Sequence, residues 1–299
     1  MLVHTIDLKF EGRGGAIGAF LVEGPGGHVL IESGPESTFE ALVSGLGEHG
    51  VGAGDLAGLF VTHVHLDHAG AAGKLAAEGV PVFVHPKGAR HLLDPERLVG
   101  SAKQVYGDRF ERLWGGMAPV PEGLLTVVGD AEIVSVAGLE IEAVDTPGHA
   151  FHHHAYAVGD VCFAGDAAGV AVGPSGFISV ASAPPSFHLE HTLASIDKLA
   201  RRGFHELFLT HFGEVSDVGS HLSSYRDAVE LNATFVKQRL QEGMDAESLR
   251  VAYQAFNLEQ AFRHECSRND WEILEAVNGA EMCADGIRLF WEKRAEGET

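Results

Sequence analysis

The chain has 299 residues, 45% of them hydrophobic, and a formal charge of −21 from 21 Lys and Arg against 42 Asp and Glu. Such a chain repels phosphate backbones, and its longest basic clusters are the pairs Arg201-Arg202 and Lys293-Arg294, so nucleic acid is excluded as a partner. No apolar run reaches the roughly 18 residues of a membrane span, so no membrane partner is expected either.

The N-terminal stretch Met1 to Phe10 carries Asp7 and Lys9 and lacks the basic-then-apolar order of a signal peptide. It reads instead as the first of three strands, Val3 to Phe10, Ala16 to Val22 and His28 to Ile31, with Gly-rich turns between them. Phe39, Leu42, Val43 and Leu46 share one face of a helix over 36–49. The apolar run Leu59 to Thr62 follows, then an Ala-rich helix over 69–78, a strand at Val80 to Val84, and helices with a loop over 87–118. A second block of strands spans Leu124 to Val128, Glu132 to Val136, Leu139 to Val144, Ala155 to Val158 and Val161 to Ala164. After a Gly-, Pro- and Ser-rich loop over 169–186 come a helix near 187–202 and a strand at Glu206 to Thr210. The remainder reads as helices near 220–242, 246–263 and 268–294. This order predicts a layered α/β domain over 1–215 and a helical C-terminal extension over 216–299. Cys162, Cys266 and Cys283 are odd in number and far apart, which fits a reducing compartment and an expected cytoplasmic location.

The 18 histidines are the unusual part of the composition, and their placement carries the chemistry. Thr62-His63-Val64-His65-Leu66-Asp67-His68 follows an apolar run. In an extended segment His63 and His65 point the same way and can grip one ion, whereas Asp67 and His68 diverge towards a second. Three further positions repeat the pattern of a donor just beyond a β-prone run: His149 in Asp145-Thr146-Pro147-Gly148-His149, Asp166 after Val161 to Ala164, and His211 after Leu207 to Thr210. Imidazoles and carboxylates at this density suit Zn, Fe or Mn better than Ca.

The segments THVHLDHAG, TPGHA, FAGDAAG and LTHFG make residues 1–215 resemble the metallo-β-lactamase superfamily, in its glyoxalase II-like branch. The resemblance implies a four-layered αβ/βα sandwich with the site on one edge. It implies that His63, His65 and His149 hold one metal and that Asp67, His68 and His211 hold another. Asp166 would bridge the two, and Asp67 would double as the group that orients the nucleophile or protonates the leaving group. Two divalent ions, Zn first with Fe or Mn as alternatives, would serve a hydrolase of a small ester, thioester, lactone or phosphodiester through a bridging hydroxide. An iron-dependent oxidoreductase, of the oxygen or nitric oxide reductase kind or the persulfide dioxygenase kind, is the alternative on the same scaffold.

The chain departs from the family pattern twice. Ile31-Glu32-Ser33-Gly34 stands where members often carry Ile-Asp-x-Gly, and Gly169 stands where acyl-homoserine lactonases place a Tyr. Of His152-His153-His154, one is a candidate to approach the site from outside the ligand set, against strand packing as the plainer reading. His188 and His191 are candidates for the mouth of the site, and His85 and His91 read as ordinary surface or core residues. The apolar face of the C-terminal helices predicts either a subunit contact, as in a homodimer, or a lid over a small-molecule substrate.

Overall fold

The computed structural model describes residues 1–297, so the last two residues of the expected helical extension lie outside the described residues. The chain forms two compact units, one of Met1–Asp145 with His152–Ala164, the other of Thr146–Phe151 with the chain from Gly165 onward.

In the first unit, β1 (Leu2–Asp7), β2 (Gly18–Gly24) and β3 (Gly27–Ile31) form an antiparallel meander. Helix α1 (Phe39–Glu48) leads to β4 (Leu56–Phe60), which lies parallel to β3. Two short helices, α2 (Leu66–Ala69) and α3 (Ala72–Ala77), connect to β5 (Val82–Val84). Helices α4 (Ala89–Leu93), α5 (Glu96–Tyr106) and α6 (Phe110–Trp114) then lead to β6 (Leu125–Val127). These six strands are ordered β1 to β6 in one sheet. Strands β7 (Ile133–Val136), β8 (Leu139–Asp145), β9 (His154–Val158) and β10 (Val161–Phe163) pair antiparallel in succession.

The strand sequences follow this arrangement. β2 buries its first five residues, Gly18 to Val22, because both its faces are covered, whereas β7 alternates between exposed and half-buried positions. Aromatic rings link the two sets of strands. Phe60 of β4 stacks on Phe83 of β5 at 4.3 Å and meets Tyr156 of β9 edge-on at 5.2 Å, and the Tyr156 hydroxyl donates to the Val61 carbonyl.

The second unit contains α7 (Leu189–Arg202), the hairpin β11 (Glu206–Leu209) and β12 (Gly213–Val215), and α8 (Val218–Gln241), α9 (Ala246–Arg263), α10 (Arg268–Val277) and α11 (Ala280–Ala295). Three of the helices start on side-chain caps that the sequence supplies: Asp217, Asp245 and Ser267 accept from the backbone N–H groups of Ser220, Ser248 and Asp270. α11 packs on α8 and α9, with Trp291 Nε1 donating to the Ala233 carbonyl at 2.9 Å.

The structure corrects three expectations. The helix expected over 268–294 is two helices, because Asn278 leaves helical geometry and turns its amide to Ser179 Oγ and the Val180 carbonyl. The helix expected over 69–78 is the shorter α3, Ala72–Ala77, preceded by the separate turn of α2 at Leu66–Ala69. Strand β12 has no counterpart in the sequence reading, since three residues are too few for an alternating pattern to emerge.

Gly286, in the middle of α11, sits where an added Cβ would lie 1.7 Å from the Ser182 carbonyl oxygen. Elsewhere in a helix, Gly→Ala stabilises by about 1 kcal/mol. Here overpacking against fixed backbone outweighs that gain, so Gly286→Ala should lower unfolding stability by about 1–3 kcal/mol. Urea denaturation of the two proteins checks the sign.

Candidate metal centre

In the first unit, β4 ends at Phe60 and the chain runs through Thr62-His63-Val64-His65 into α2, which carries Asp67 and His68. His63 Nε2 and His65 Nδ1 lie 2.9 Å apart, so the two rings do converge as an extended segment predicts. Two imidazole nitrogens on one tetrahedral ion at about 2.1 Å sit roughly 3.4 Å apart, a spacing this pair reaches with a small shift. His68 Nε2 lies 3.6 Å from Asp67 Oδ2.

Behind these donors lies a buried carboxylate. Glu32, at φ 68 just beyond β3, accepts from Thr62 N–H at 3.2 Å and from Thr62 Oγ1 at 2.6 Å, and it faces His68 Nδ1 at 2.8 Å. Thr62 Oγ1 is in turn 3.1 Å from His63 Nδ1. One proton arrangement satisfies all of these contacts: His68 Nδ1–H and Thr62 O–H donate to Glu32, and His63 Nδ1–H donates to Thr62 Oγ1. Both histidines then present Nε2 as a lone pair. The longer Glu in place of the family's Asp thus retains a carboxylate that sets the tautomers of both rings.

More histidines surround this site than the sequence reading gathers. His152 and His153 are both buried, with ring centroids 6.1 Å and 4.9 Å from that of His63. His152 is also 5.8 Å from His65 and 6.2 Å from His91 of α4. The plain reading of His91 therefore gives way to a place beside the site.

His85, Asp145 and His154 have donor atoms within 4.8 Å of one another and satisfy the same spacing rule for a metal. Their hydrogen bonds argue otherwise. His85 Nδ1 accepts from Lys87 N–H at 2.9 Å, so the neutral ring carries its proton on Nε2, 3.3 Å from Asp145 Oδ1. Asp145 and His154 are cross-strand partners in β8 and β9, so the group clamps the two ends of the segment that contains His149. Burial works to raise the Asp145 pKa, but the His85 hydrogen bond and the nearby His154 hold it below the ordinary carboxylate value.

In the second unit, His149 follows Gly148, whose φ of 143 and close approach to Thr192 of α7 leave no space for a Cβ. The Gly148 and Pro147 carbonyls accept from His188 N–H and Ser195 Oγ. His149 Nδ1 lies 3.1 Å from the Ala181 carbonyl, which fixes the donor tautomer there and turns Nε2 towards Asp166 Oδ2 at 3.3 Å. The other oxygen of Asp166 lies 3.7 Å from His211 Nε2. One buried carboxylate thus offers a separate oxygen to each of two histidines. His188 and His191, expected at a site mouth, stack on each other at 3.9 Å, and His188 packs edge-on against Phe290.

A family model described as the metallo-beta-lactamase superfamily matches residues 12–211. The chain belongs to this superfamily. A metallo-beta-lactamase fold-containing protein of Sulfurisphaera tokodaii is 31% identical over 117 residues, 37% of this chain and 44% of that protein. A hydroxyacylglutathione hydrolase of Shewanella pealeana is 31% identical over 111 residues, 37% of this chain and 32% of the hydrolase. The chain therefore aligns with less than half the length of either relative. The crystal structure of a metallo-beta-lactamase family protein from Thermus thermophilus superposes with a TM-score of 0.70 at 22% identity, covering 99% of this chain and 94% of the other. An archaeal superfamily protein from Sulfolobus tokodaii gives 0.67 at 21% identity, covering 96% and 98%. The fold is accordingly the αβ/βα metallo-β-lactamase sandwich with helices at its C-terminus.

The donor chemistry fits the divalent metals that this superfamily typically binds. Imidazole nitrogens and carboxylates converge within each unit, with Glu32 behind His68 and the Ala181 carbonyl behind His149. Glu32→Gln keeps the volume but removes the charge that orders His63 and His68. It should lower zinc affinity by about 10–100-fold, measured by competition with a chromogenic chelator.

Proposed function

We propose that the chain is a dinuclear metal-dependent hydrolase of a small ester, thioester, lactone or phosphodiester. The observation that carries this reading is the Asp166 carboxylate, with Oδ2 3.3 Å from His149 Nε2 and Oδ1 3.7 Å from His211 Nε2. A carboxylate held between two separate imidazoles is what a bridging ligand requires. His63, His65 and His149 would hold one ion and Asp67, His68 and His211 the other, with Asp166 shared. Zinc is the first expectation and iron or manganese the alternatives. When bound, such ions supply a water of lowered pKa and positive charge for a developing oxyanion.

The chain's own residues have defined tasks in this reading. Glu32 holds protons on His68 Nδ1 and, through Thr62, on His63 Nδ1, so that neither ring turns a proton towards the ions. The Ala181 carbonyl does the same for His149. Asp67, part-exposed in the first turn of α2, would orient the attacking water or protonate the leaving group. All three cysteines are buried and outside any disulfide, which supports the reading of a cytoplasmic protein, and no described helix is long and apolar enough to cross a membrane.

Metal counts and a panel of ester, thioester, lactone and phosphodiester substrates test the proposal. The purified protein should hold two ions per chain and hydrolyse at least one substrate class. Asp166→Ala should weaken both ions and abolish hydrolysis, because without the shared oxygens the two cations repel each other. His211→Ala should retain about one ion, since it supplies a single nitrogen to one of them. Two tightly held ions in Asp166→Ala would remove the bridge from the model.

A further inference from the structure

The acidic chain has a locally basic stretch. Residues 85–112 contain six of the 21 Lys and Arg but only four of the 42 Asp and Glu. Two of the six, Arg90 on α4 and Arg97 in the first turn of α5, belong to the two consecutive helices beside His91, and Arg90 is linked through His91 to the donor histidines of the first unit. The connection runs through ring contacts: His65 to His152 at 5.8 Å, His152 to His91 at 6.2 Å, and Arg90 Nε donating to His91 Nε2 at 3.2 Å. Arg97 lies in the first turn of α5, the helix that directly follows α4, and burial followed by the positive charges of Arg90 and Arg97 lowers the His91 pKa.

The arginines are set up for an external anion. Arg90 spends Nε on His91 and keeps its two terminal nitrogens, which form the fork that matches a carboxylate or phosphate. Both side chains are exposed, and neither forms an ion pair with a carboxylate among the described residues. The nearby Asp94 is engaged in accepting from Glu96 N–H at the start of α5. A neutral His91 and a buried His152 continue the row to His65 without adding charge of their own.

We propose that Arg90 and Arg97 recognise an anionic group of the substrate, a carboxylate or a phosphate ester, at the end remote from the bond that is cleaved. This deepens the hydrolase reading and rests on it for the identity of the reacting end. The substrate class it names is a small ester or thioester whose acyl or alcohol part bears a second, negatively charged group. The row of His152 and His91 then forms the floor along which the connecting chain lies.

The test compares the wild-type protein with Arg90→Gln/Arg97→Gln. Both positions are exposed, so the double variant should fold, and circular dichroism confirms this. The first arm is calorimetric titration of glutarate into the purified, metal-loaded proteins. Expected is about tenfold weaker binding by the double variant, a difference that shrinks as salt is raised. Equal affinities, or no glutarate binding by the wild type, would overturn the anion site. The second arm compares 4-nitrophenyl acetate with mono-4-nitrophenyl glutarate. Expected is a rise in KM of about tenfold for the anionic ester alone, with kcat and the neutral ester unchanged. Equal losses on both esters would also overturn the proposal. If glutarate binding depends on the arginines but no ester, thioester, lactone or phosphodiester is cleaved, the anion site stands and the hydrolase reading fails.

Discussion

Glu32 is the interaction on which the rest of the site depends. A carboxylate removed from water costs several kcal/mol unless it is fully hydrogen-bonded. Here it takes the Thr62 amide, the Thr62 hydroxyl and His68 Nδ1. These partners come from the end of β4 and from α2, so satisfying one buried charge draws two segments together. Its left-handed backbone, at φ 68, is a strained conformation for a residue with a long side chain and carries a cost of about 1–3 kcal/mol. The three hydrogen bonds offset that cost, and removal of any one leaves a buried charge under-compensated.

The same logic recurs in the second unit with neutral partners. His149 is aimed by the Ala181 carbonyl, and its loop is held by the contacts of Gly148 and Pro147 with the start of α7. Asp166 occupies a short turn directly after β10, so its carboxylate is fixed by the backbone and not by a long flexible stem. Each donor stands within a few residues of a strand end or at the first turn of a helix. A sandwich of sheets places such positions reproducibly, which is why short motifs suffice to mark them.

Much of this was legible in the sequence, and the reasons are local. His63, His65, Asp67 and His68 lie in one heptapeptide, and His149, Asp166 and His211 each come just beyond a β-prone run. What stayed hidden depends on packing between distant segments. His152 and His153 meet His63 only because β9 lies near the end of β4, as the hydrogen bond from His154 N–H to the Thr62 carbonyl records. His91 sits on a helix of five residues, too short for any periodicity to show which face is inward. The break at Asn278 is likewise invisible locally, because the partners that draw it out of the helix are about a hundred residues away. Glu32 was visible as a departure from a family pattern, and the structure supplies the reason that the longer side chain serves.

The pairing of Asp145 with His154 has a thermodynamic consequence for the segment between them. Eight residues, 146–153, span the gap between two strand positions that are already in register. Closing such a loop is an entropic cost that folding meets through the β8–β9 ladder and the His85–Asp145 contact, before any ligand arrives. In the proposed site, a ligand at His149 would therefore need little additional ordering of backbone. The free energy of that contact would go into affinity instead of into organising the chain, which is the signature of a preorganised receptor.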